Sequence, residues 1–181
     1  IISGSARGTN LFTLDGLTTR PTLDRVKESL FNIIQKDIED SVVLDLFAGS
    51  GAIAIEFLSR GASQAYVCDN NPKAVEMIKK NLQKTHLEQK AKVYSKDYKE
   101  CLKDIQKIQF DIIFLDPPYK SDFAIKSMEY IFRNNMLLDD GIIIFETDDK
   151  NKEQEILKYK EMRIFDIRKY GSVYVIFIRK G

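Results

Sequence analysis

The sequence Asp116-Pro117-Pro118-Tyr119 directly follows a continuous apolar run and holds residue types that can act on an amino group of a nucleic-acid base. Such an amino group is a poor nucleophile because its lone pair is delocalised into the ring. Hydrogen bonds from its two N–H groups to the Asp116 carboxylate and the Pro117 carbonyl would localise electron density on the nitrogen. Tyr119 can stack on the base, a contact worth about 1–3 kcal/mol in nucleic-acid sites. The motif therefore predicts a catalytic site, formed by Asp116, Pro117, Pro118 and Tyr119, for a base that is flipped out or unpaired.

Two consecutive prolines also mark ordinary loops, so a plain end to a strand is the alternative interpretation of this motif. The prolines exclude helix and make the chain leave the strand in an extended, rigid form. We favour the catalytic interpretation because the whole pattern (apolar strand, acid, two prolines, aromatic residue) follows a glycine loop of cofactor-binding type earlier in the chain.

That loop, Asp45-Leu46-Phe47-Ala48-Gly49-Ser50-Gly51-Ala52, predicts a nucleotide-type binding site. A Gly-x-Gly turn between a strand and a helix lets the main chain approach a ligand where a Cβ would collide, and helix N–H groups then point at the ligand. The third glycine of the dinucleotide-binding pattern is missing, since Ala54 stands in its place. Asp45 would repel a pyrophosphate, but it can attract the ammonium of a methionine group.

Asp69 and Asp97 extend this site, because each follows a further predicted strand. A carboxylate at the end of the second strand accepts ribose hydroxyls, and Asp97 is placed to take the amino group of an adenine. Each aspartate alone could be only a helix cap, but three acids after three successive strands together fit one nucleoside with a positively charged tail. The predicted cofactor is S-adenosyl-L-methionine, and its predicted ligands are Asp45, Phe47, Ala48, Gly49, Gly51, Asp69, Asn70, Asp97 and Tyr98.

The elements that must position these residues alternate between short apolar runs and helical patterns, which is typical of a parallel α/β sheet. Strands are predicted at 42–45, 65–68, 92–94, 111–115, 142–145, 163–168 and 172–178, and helices at 51–60, 72–85, 122–134 and after Asp97. The last two strands predict an antiparallel hairpin that closes the sheet. The predicted fold is Rossmann-like α/β, with a mostly parallel seven-stranded sheet over residues 41–181.

Residues 1–40 differ from the rest and predict a small N-terminal extension. Gly4, Gly8 and Gly16 lie among short polar stretches, which indicate a small hairpin, and Thr22 begins an amphipathic helix. The segment holds Arg7, Arg20, Arg25 and Lys27, and residues 156–181 carry seven Lys/Arg against two Asp/Glu. These basic residues give weak support for a nucleic-acid partner.

The composition is that of a globular protein. The chain has 181 residues, of which 44% are hydrophobic and 30% charged, and a net charge of +1. No apolar run reaches the length of a membrane span and no secretory signal is visible. Cys68 and Cys101 are expected to be reduced and packed, and His86 has no neighbours that would complete a metal set. We therefore expect a soluble, cytoplasmic monomer that has no metal ion and does not associate with membranes.

The chain resembles the class I S-adenosylmethionine-dependent methyltransferases that act on amino groups, and most closely the RsmD family. The matching segments are Ile2-Ser3-Gly4, Arg7-Gly8, Arg20-Pro21-Thr22, Asp24-Arg25-Val26, Glu28, Leu30-Phe31-Asn32, Asp45–Ala52 and Asp116–Tyr119. The resemblance implies methylation of a guanine N2 amino group in 16S ribosomal RNA, within the small subunit or its assembly intermediate. It implies that Arg20 and Thr22 help to close the cofactor pocket, and that Arg7, Arg25 and Lys27 meet RNA. The family tends to have Arg where this chain has Lys27, which replaces a planar fork of donors with a point charge.

Three other functions remain open at the level of sequence. A DNA adenine-N6 methyltransferase would use the same Asp-Pro-Pro-Tyr motif, although little chain remains for a separate DNA-reading domain. A binding subunit could keep the fold without catalysis, but the intact motif and glycine loop oppose this. A nicotinamide dehydrogenase is disfavoured by Asp45 and by the missing third glycine.

Overall fold

A central sheet of seven strands, in the order β3-β2-β1-β4-β5-β7-β6, organises the molecule. The computed structural model describes residues 1–13 and 21–181, and for residues 21–23 it describes the main chain alone. The strands are β1 (Val42–Asp45), β2 (Gln64–Asp69), β3 (Ala91–Ser95), β4 (Phe110–Leu115), β5 (Leu137–Thr147), β6 (Met162–Tyr170) and β7 (Val173–Lys180). The helices are α1 (Pro21–Ile33), α2 (Ala52–Ser59), α3 (Pro72–Thr85), α4 (Tyr98–Asp104), α5 (Phe123–Arg133) and α6 (Lys152–Ile156), and short 3-10 turns span Gln35–Asp37 and Glu88–Lys90.

Strands β1 to β5 are parallel, which confirms the predicted α/β class. Val43 at the centre of β1 is aligned with Ala65 on one neighbour and with Ile112 on the other. The central strands are apolar and buried because helices cover both faces of the sheet. Parallel strands place all their carboxyl ends at one edge, so the loops that follow β1, β2, β3 and β4 converge there.

The C-terminal hairpin is confirmed, with longer strands than the sequence predicted. Strand β7 pairs antiparallel with β5 on one side and with β6 on the other. Strand β5 also begins earlier than predicted, at Leu137, which pairs with Phe110. Its exposed residues Asp139 and Asp140 break the apolar pattern, so the sequence indicated only the buried half of this strand.

The hydrophobic core has two parts, one on each face of the sheet. Helices α1, α2 and α3 cover one face, where the rings of Phe31 and Phe57 meet edge to face with centroids 4.7 Å apart. Helices α4 and α5 cover the other, with Cys101 and Met128 fully buried. Cys68 is likewise a buried free thiol, as expected. Because α1 shares its core with α2, the helical part of the predicted extension packs as part of the main body.

Residues 1–13 form turns that are anchored on α2. The N–H groups of Ile2 and Ser3 donate to the two carboxylate oxygens of Glu56, at 2.9 and 3.1 Å. Gly4 has φ +89°, and a Cβ there would lie 1.8 Å from the Ser59 carbonyl oxygen, so only glycine fits this approach. Residues 1–13 contain no strand, and the remainder of the predicted hairpin lies outside the described residues. Helix α1 begins at Pro21, one residue before the predicted start.

Within residues 1–13 and 21–181, no helix combines the length and the apolar character that crossing a membrane requires.

Candidate active site

A cleft of about 490 Å³ opens at the carboxyl edge of the parallel strands. It is lined by Leu46, Phe47, Gly49, Asp69, Asn70, Asn71, Lys96, Asp97, Tyr98, Asp116, Pro117, Pro118, Tyr119 and Phe123. The structure thus brings the whole predicted catalytic motif together with most of the predicted cofactor ligands. Arg20 lies outside the described residues, and only the main chain of Thr22 is described.

The glycine loop and Asp69 form one hydrogen-bonded unit. The N–H of Gly49 donates to Oδ2 of Asp69 at 2.9 Å, and the N–H of Asn71 donates to Oδ1 at 2.9 Å. Gly49 and Gly51 have φ of +59° and +83°, conformations in which a side chain would be strained. A Cβ on Gly49 would meet no protein atom within 4 Å, so the space beside it is open to a ligand. Each Asp69 oxygen keeps a lone pair with which it can accept a hydroxyl.

Asp45 lies beneath the lining of the cleft, with only 1% of its surface exposed. Neither of its carboxylate oxygens has a hydrogen-bond partner among the described residues. Burial raises the pKa of Asp45 to about 7; the nearby main-chain N–H of Ala54 opposes the rise, and the negative charge of Asp69 adds to it. Ala48 and Gly51 also lie outside the lining: Ala48 donates its N–H to the Cys68 carbonyl, and Gly51 caps α2. Asp45 therefore lies behind the glycine loop, and a ligand in the cleft would not contact it directly unless the loop moved.

Three aromatic rings form the side of the cleft next to Asp97. The Tyr98 ring centroid lies 5.4 Å from that of Phe47 and 4.7 Å from that of Phe123. The Tyr98 hydroxyl is buried and has no hydrogen-bond partner among the described residues. Asp97 caps α4 by accepting the N–H of Lys99 at 3.1 Å, so the helix-cap reading is correct for this residue. Its second carboxylate oxygen is not used by the cap.

The loop after β4 presents the predicted catalytic motif to the cleft. Pro117 and Pro118 hold the chain out of helical conformation, and Ser121 fixes the loop by donating its hydroxyl to the Pro118 carbonyl at 2.7 Å. The Tyr119 ring is 72% exposed, an unusual position for a large aromatic side chain. It is therefore free to take a partner on its face.

Asp116 lines the cleft and is exposed to the solvent that fills it, although protein atoms surround its carboxylate closely enough to affect its ionisation. Loss of water raises the pKa of Asp116 well above its ordinary value, and the carboxylates of Glu146 and Asp45 raise it further. Its carboxylate has no hydrogen bond or ion pair to any residue within the described parts of the chain. The side chain is thus a strong acceptor with no partner in residues 1–13 and 21–181.

Glu146, which the sequence analysis did not single out, lies beside Asp116 on the next strand. Leu115 pairs with Phe145, so the residues that follow them stand side by side at the ends of β4 and β5. Burial raises the pKa of Glu146. Glu146 could have been found from the sequence in the same way as Asp116, because each acid directly follows an apolar run. Glu146 itself is not part of the cleft lining. Lys96, Asn71 and Phe123 do line the cleft, and each lies within a few residues of a predicted motif without a signal of its own.

The residues predicted to meet RNA fall into two groups. Arg7 and Arg25 are exposed and away from the cleft lining. The Lys27 ammonium instead lies 3.1 Å from Glu56, which is fully buried and also accepts the Arg60 guanidinium at 2.8 Å. Burial opposes the ionisation of Glu56, but the Ile2 N–H, Arg60 and Lys27 outweigh it and lower its pKa. An RNA phosphate would have to compete with Glu56 for Lys27.

Known proteins resemble the chain along its whole length. Residues 1–179 match the family model described as "Conserved hypothetical protein 95". A Haemophilus influenzae relative named "Ribosomal RNA small subunit methyltransferase D" is 37% identical, covering 95% of this chain and 93% of its own. The Bacillus subtilis "Putative rRNA methyltransferase YlbH" is 42% identical over 82% of both chains. Among solved structures, the Escherichia coli "Putative methyltransferase yhhF" has a TM-score of 0.85 at 31% identity, covering 99% of this chain and 96% of that one.

Proposed function

We propose, from the premise that the chain belongs to the RsmD family, whose model is described as Conserved hypothetical protein 95, that it methylates the N2 amino group of a guanine in 16S ribosomal RNA. The methyl donor is S-adenosyl-L-methionine. The names of the relatives support the ribosomal substrate. The cleft supports the chemistry, because its catalytic loop is built for an exocyclic amino group.

The residues of the cleft fit this cofactor. Asp69 offers lone pairs for the ribose hydroxyls while its other lone pairs hold the glycine loop. Asp97 offers an unused carboxylate oxygen for the adenine amino group, and the rings of Phe47, Tyr98 and Phe123 offer an apolar wall. Asp45 has a buried carboxylate without a partner in the described chain, which is the feature a cationic methionine group would satisfy. When bound, S-adenosyl-L-methionine supplies an electrophilic methyl group on a sulfonium.

The catalytic loop activates and orients the amino group. The Asp116 carboxylate accepts one N–H and the Pro117 carbonyl accepts the other, which localises the lone pair on nitrogen. Tyr119 stacks on the base and holds it at the mouth of the cleft. When the nitrogen gains the methyl group it loses one proton, and the Asp116 carboxylate is the acceptor in contact with it. Positioning supplies most of the rate gain for an in-line displacement of this kind.

The observation that carries the proposal is that Asp116, without a partner among the described residues, faces the same cleft as the glycine loop and Asp69. The test is transfer of labelled methyl from S-adenosyl-L-methionine to unmodified small ribosomal subunits, naked 16S RNA and duplex DNA, followed by digestion to nucleosides. We expect N2-methylguanosine from the ribosomal substrates.

Two outcomes would change the proposal in different ways. N6-methyladenine in the DNA would keep the chemistry and overturn the substrate. Measurable cofactor binding without incorporation into any of the three substrates would point to a non-catalytic subunit. Asp116→Ala serves as the control for each positive signal, because it removes the acceptor and leaves the ligands of the predicted cofactor site in place.

A further inference from the structure

Glu146 forms a pair of carboxylates with Asp116, which lines the cleft, while Glu146 lies next to that lining. The register of β4 and β5 aligns Phe114 with Ile144 and Leu115 with Phe145, so Asp116 and Glu146 occupy the next equivalent positions. Phe114 and Ile144 pack in the same half of the core, and side chains two residues further along a strand return to the same face. Adjacent strands lie about 4.8 Å apart. The two acids therefore present their oxygens close together.

Both carboxylates are open acceptors. Neither makes a hydrogen bond or an ion pair with any residue in the described parts of the chain; Glu146 is half-buried and Asp116 is exposed to the cleft. Burying a carboxylate without a partner is costly, and placing two of them side by side adds mutual repulsion. Loss of water raises the pKa of both acids, and the negative charge of Glu146 raises that of Asp116 further. A protein keeps such an arrangement where a ligand supplies the missing donors.

Guanine has the donors that this pair lacks. Its Watson–Crick edge carries N1–H directly beside the N2 amino group, so two donors point the same way. Adenine and cytosine carry one amino group beside a ring nitrogen that is an acceptor. An ionised carboxylate opposite that ring nitrogen would place two acceptors face to face, which leaves both unpaired.

We propose that Glu146 is the residue that selects guanine, by accepting the N1–H of the base whose N2 amino group donates to Asp116. The inference rests on the proposed function and adds to it a source of base specificity that the Asp-Pro-Pro-Tyr motif lacks. Asp116 and Pro117 recognise any exocyclic amino group, whereas Glu146 recognises the ring N1–H that lies beside this amino group in guanine.

The test uses 2-aminopurine, which keeps the N2 amino group of guanine and replaces N1–H with a ring acceptor. The methylated guanosine is first located in the wild-type product, and 16S RNA carrying 2-aminopurine at that position is then made by ligating a synthetic segment. We expect the wild-type kcat/KM to fall about 100-fold on this substrate, as a site built to bind a donor rejects an analogue that lacks it.

In Glu146→Gln we expect the kcat/KM values for guanine and 2-aminopurine to approach each other within about threefold, because the amide N–H can donate to the ring nitrogen. Glu161→Gln, at an exposed acid outside the cleft, is the matched control and should keep the 100-fold preference. If Glu146→Gln does not fold, Glu146→Asp carries the test. It keeps the carboxylate, so it should keep the preference for guanine while lowering both rates.

The outcomes separate this inference from the proposed function. N2-methylguanosine as the wild-type product, with a preference unchanged in Glu146→Gln, would overturn the role of Glu146 alone. N6-methyladenosine as the wild-type product would overturn both. Equal rates of Glu146→Asp on the two substrates, with the wild type preferring guanine, would also overturn recognition by the carboxylate.

Discussion

Asn81 holds the main chain of Phe12 through two hydrogen bonds, accepting its N–H at 2.7 Å and donating to its carbonyl at 3.0 Å. The same amide nitrogen donates to the Ser50 carbonyl in the glycine loop at 2.9 Å. Asn81 is fully buried on α3, so a single side chain ties the N-terminal segment to the turn that faces the cleft. The position of the segment and the shape of the turn are therefore linked.

Asn81→Ala should destabilise the protein and loosen both attachments. The substitution removes three partly buried hydrogen bonds, each worth about 0.5–1.5 kcal/mol. We expect urea unfolding to report a loss of roughly 2–4 kcal/mol, and the Phe12 amide to exchange faster with solvent. Gln83→Ala, at an exposed site on the same helix, should change neither. Unchanged exchange at Phe12 in the Asn81 variant would argue against the link.

Asp45→Asn should stabilise the protein at neutral and higher pH. The folded-state pKa of Asp45 is raised from 3.8 to about 7, so between these values the folded state keeps a proton that the unfolded state has released. Stability thus falls as pH rises through this window. The amide does not titrate, so its advantage over the wild type should grow by about 3 kcal/mol between pH 5 and pH 8.

Urea unfolding at the two pH values measures this difference, with the exposed Asp37→Asn as the control. The same variant should bind S-adenosyl-L-methionine more weakly, since the amide cannot pair with an ammonium. A pH-independent effect of Asp45→Asn on stability would contradict the assignment of a raised pKa to this group.

Asp116→Ala should abolish most of the methyl transfer and leave cofactor binding intact. Removing one preorganised acceptor or donor from a reacting centre costs about 10²–10³ in kcat. Single-turnover rates on small ribosomal subunits measure the loss, and calorimetric titration with S-adenosyl-L-methionine measures the binding. A comparable loss of cofactor affinity would instead place Asp116 among the cofactor ligands.

The rate of methyl transfer should rise with pH through a range above the ordinary pKa of an aspartate. Asp116 must be ionised to take up the proton that the nitrogen loses, and its pKa is raised by loss of water and by the carboxylates of Glu146 and Asp45. Because the pair titrates together, the acid limb of kcat/KM belongs to both acids. Glu146→Gln removes one negative charge and should move that limb to lower pH. If the acid limb of the kcat/KM profile lies at the same pH in Glu146→Gln and the wild type, the two carboxylates do not interact.

Lys27 and Arg25 should differ in their contributions to RNA binding. Each phosphate contact that is lost reduces the salt dependence of binding by about one ion. Arg25 is exposed, so Arg25→Ala should reduce the slope by about one if the N-terminal segment meets RNA. Lys27→Met should leave the slope unchanged and lower the stability instead, because it removes a partner of buried Glu56. A reduced slope for Lys27→Met would restore its predicted contact with RNA.

The sequence predicted the sheet well because its buried strands are short and uninterrupted, and the bounds of α3 were predicted to the residue. Asp116 and Asp69 were found because their motifs are local. Glu146 was missed because its meaning depends on the register of β4 and β5, which joins residues that are far apart in sequence. Lys27 was taken for a surface charge because the sequence does not reveal that α2 places Glu56 opposite it. Motifs formed by neighbouring residues can thus be predicted from the sequence, whereas contacts between residues on different helices or strands cannot.

The position of β7 has a consequence for how the protein is made. This strand is the last in chain order, yet it lies inside the sheet, between β5 and β6. While residues 173–180 are still within the ribosome, the edge of β5 has no neighbour and offers open main-chain groups to other chains. Strands β1 to β4, whose following loops form the cleft, can form during synthesis. A nascent chain in which β1 to β5 have emerged but β7 has not therefore holds most of the cleft lining while the edge of β5 is still unpaired and open to aggregation.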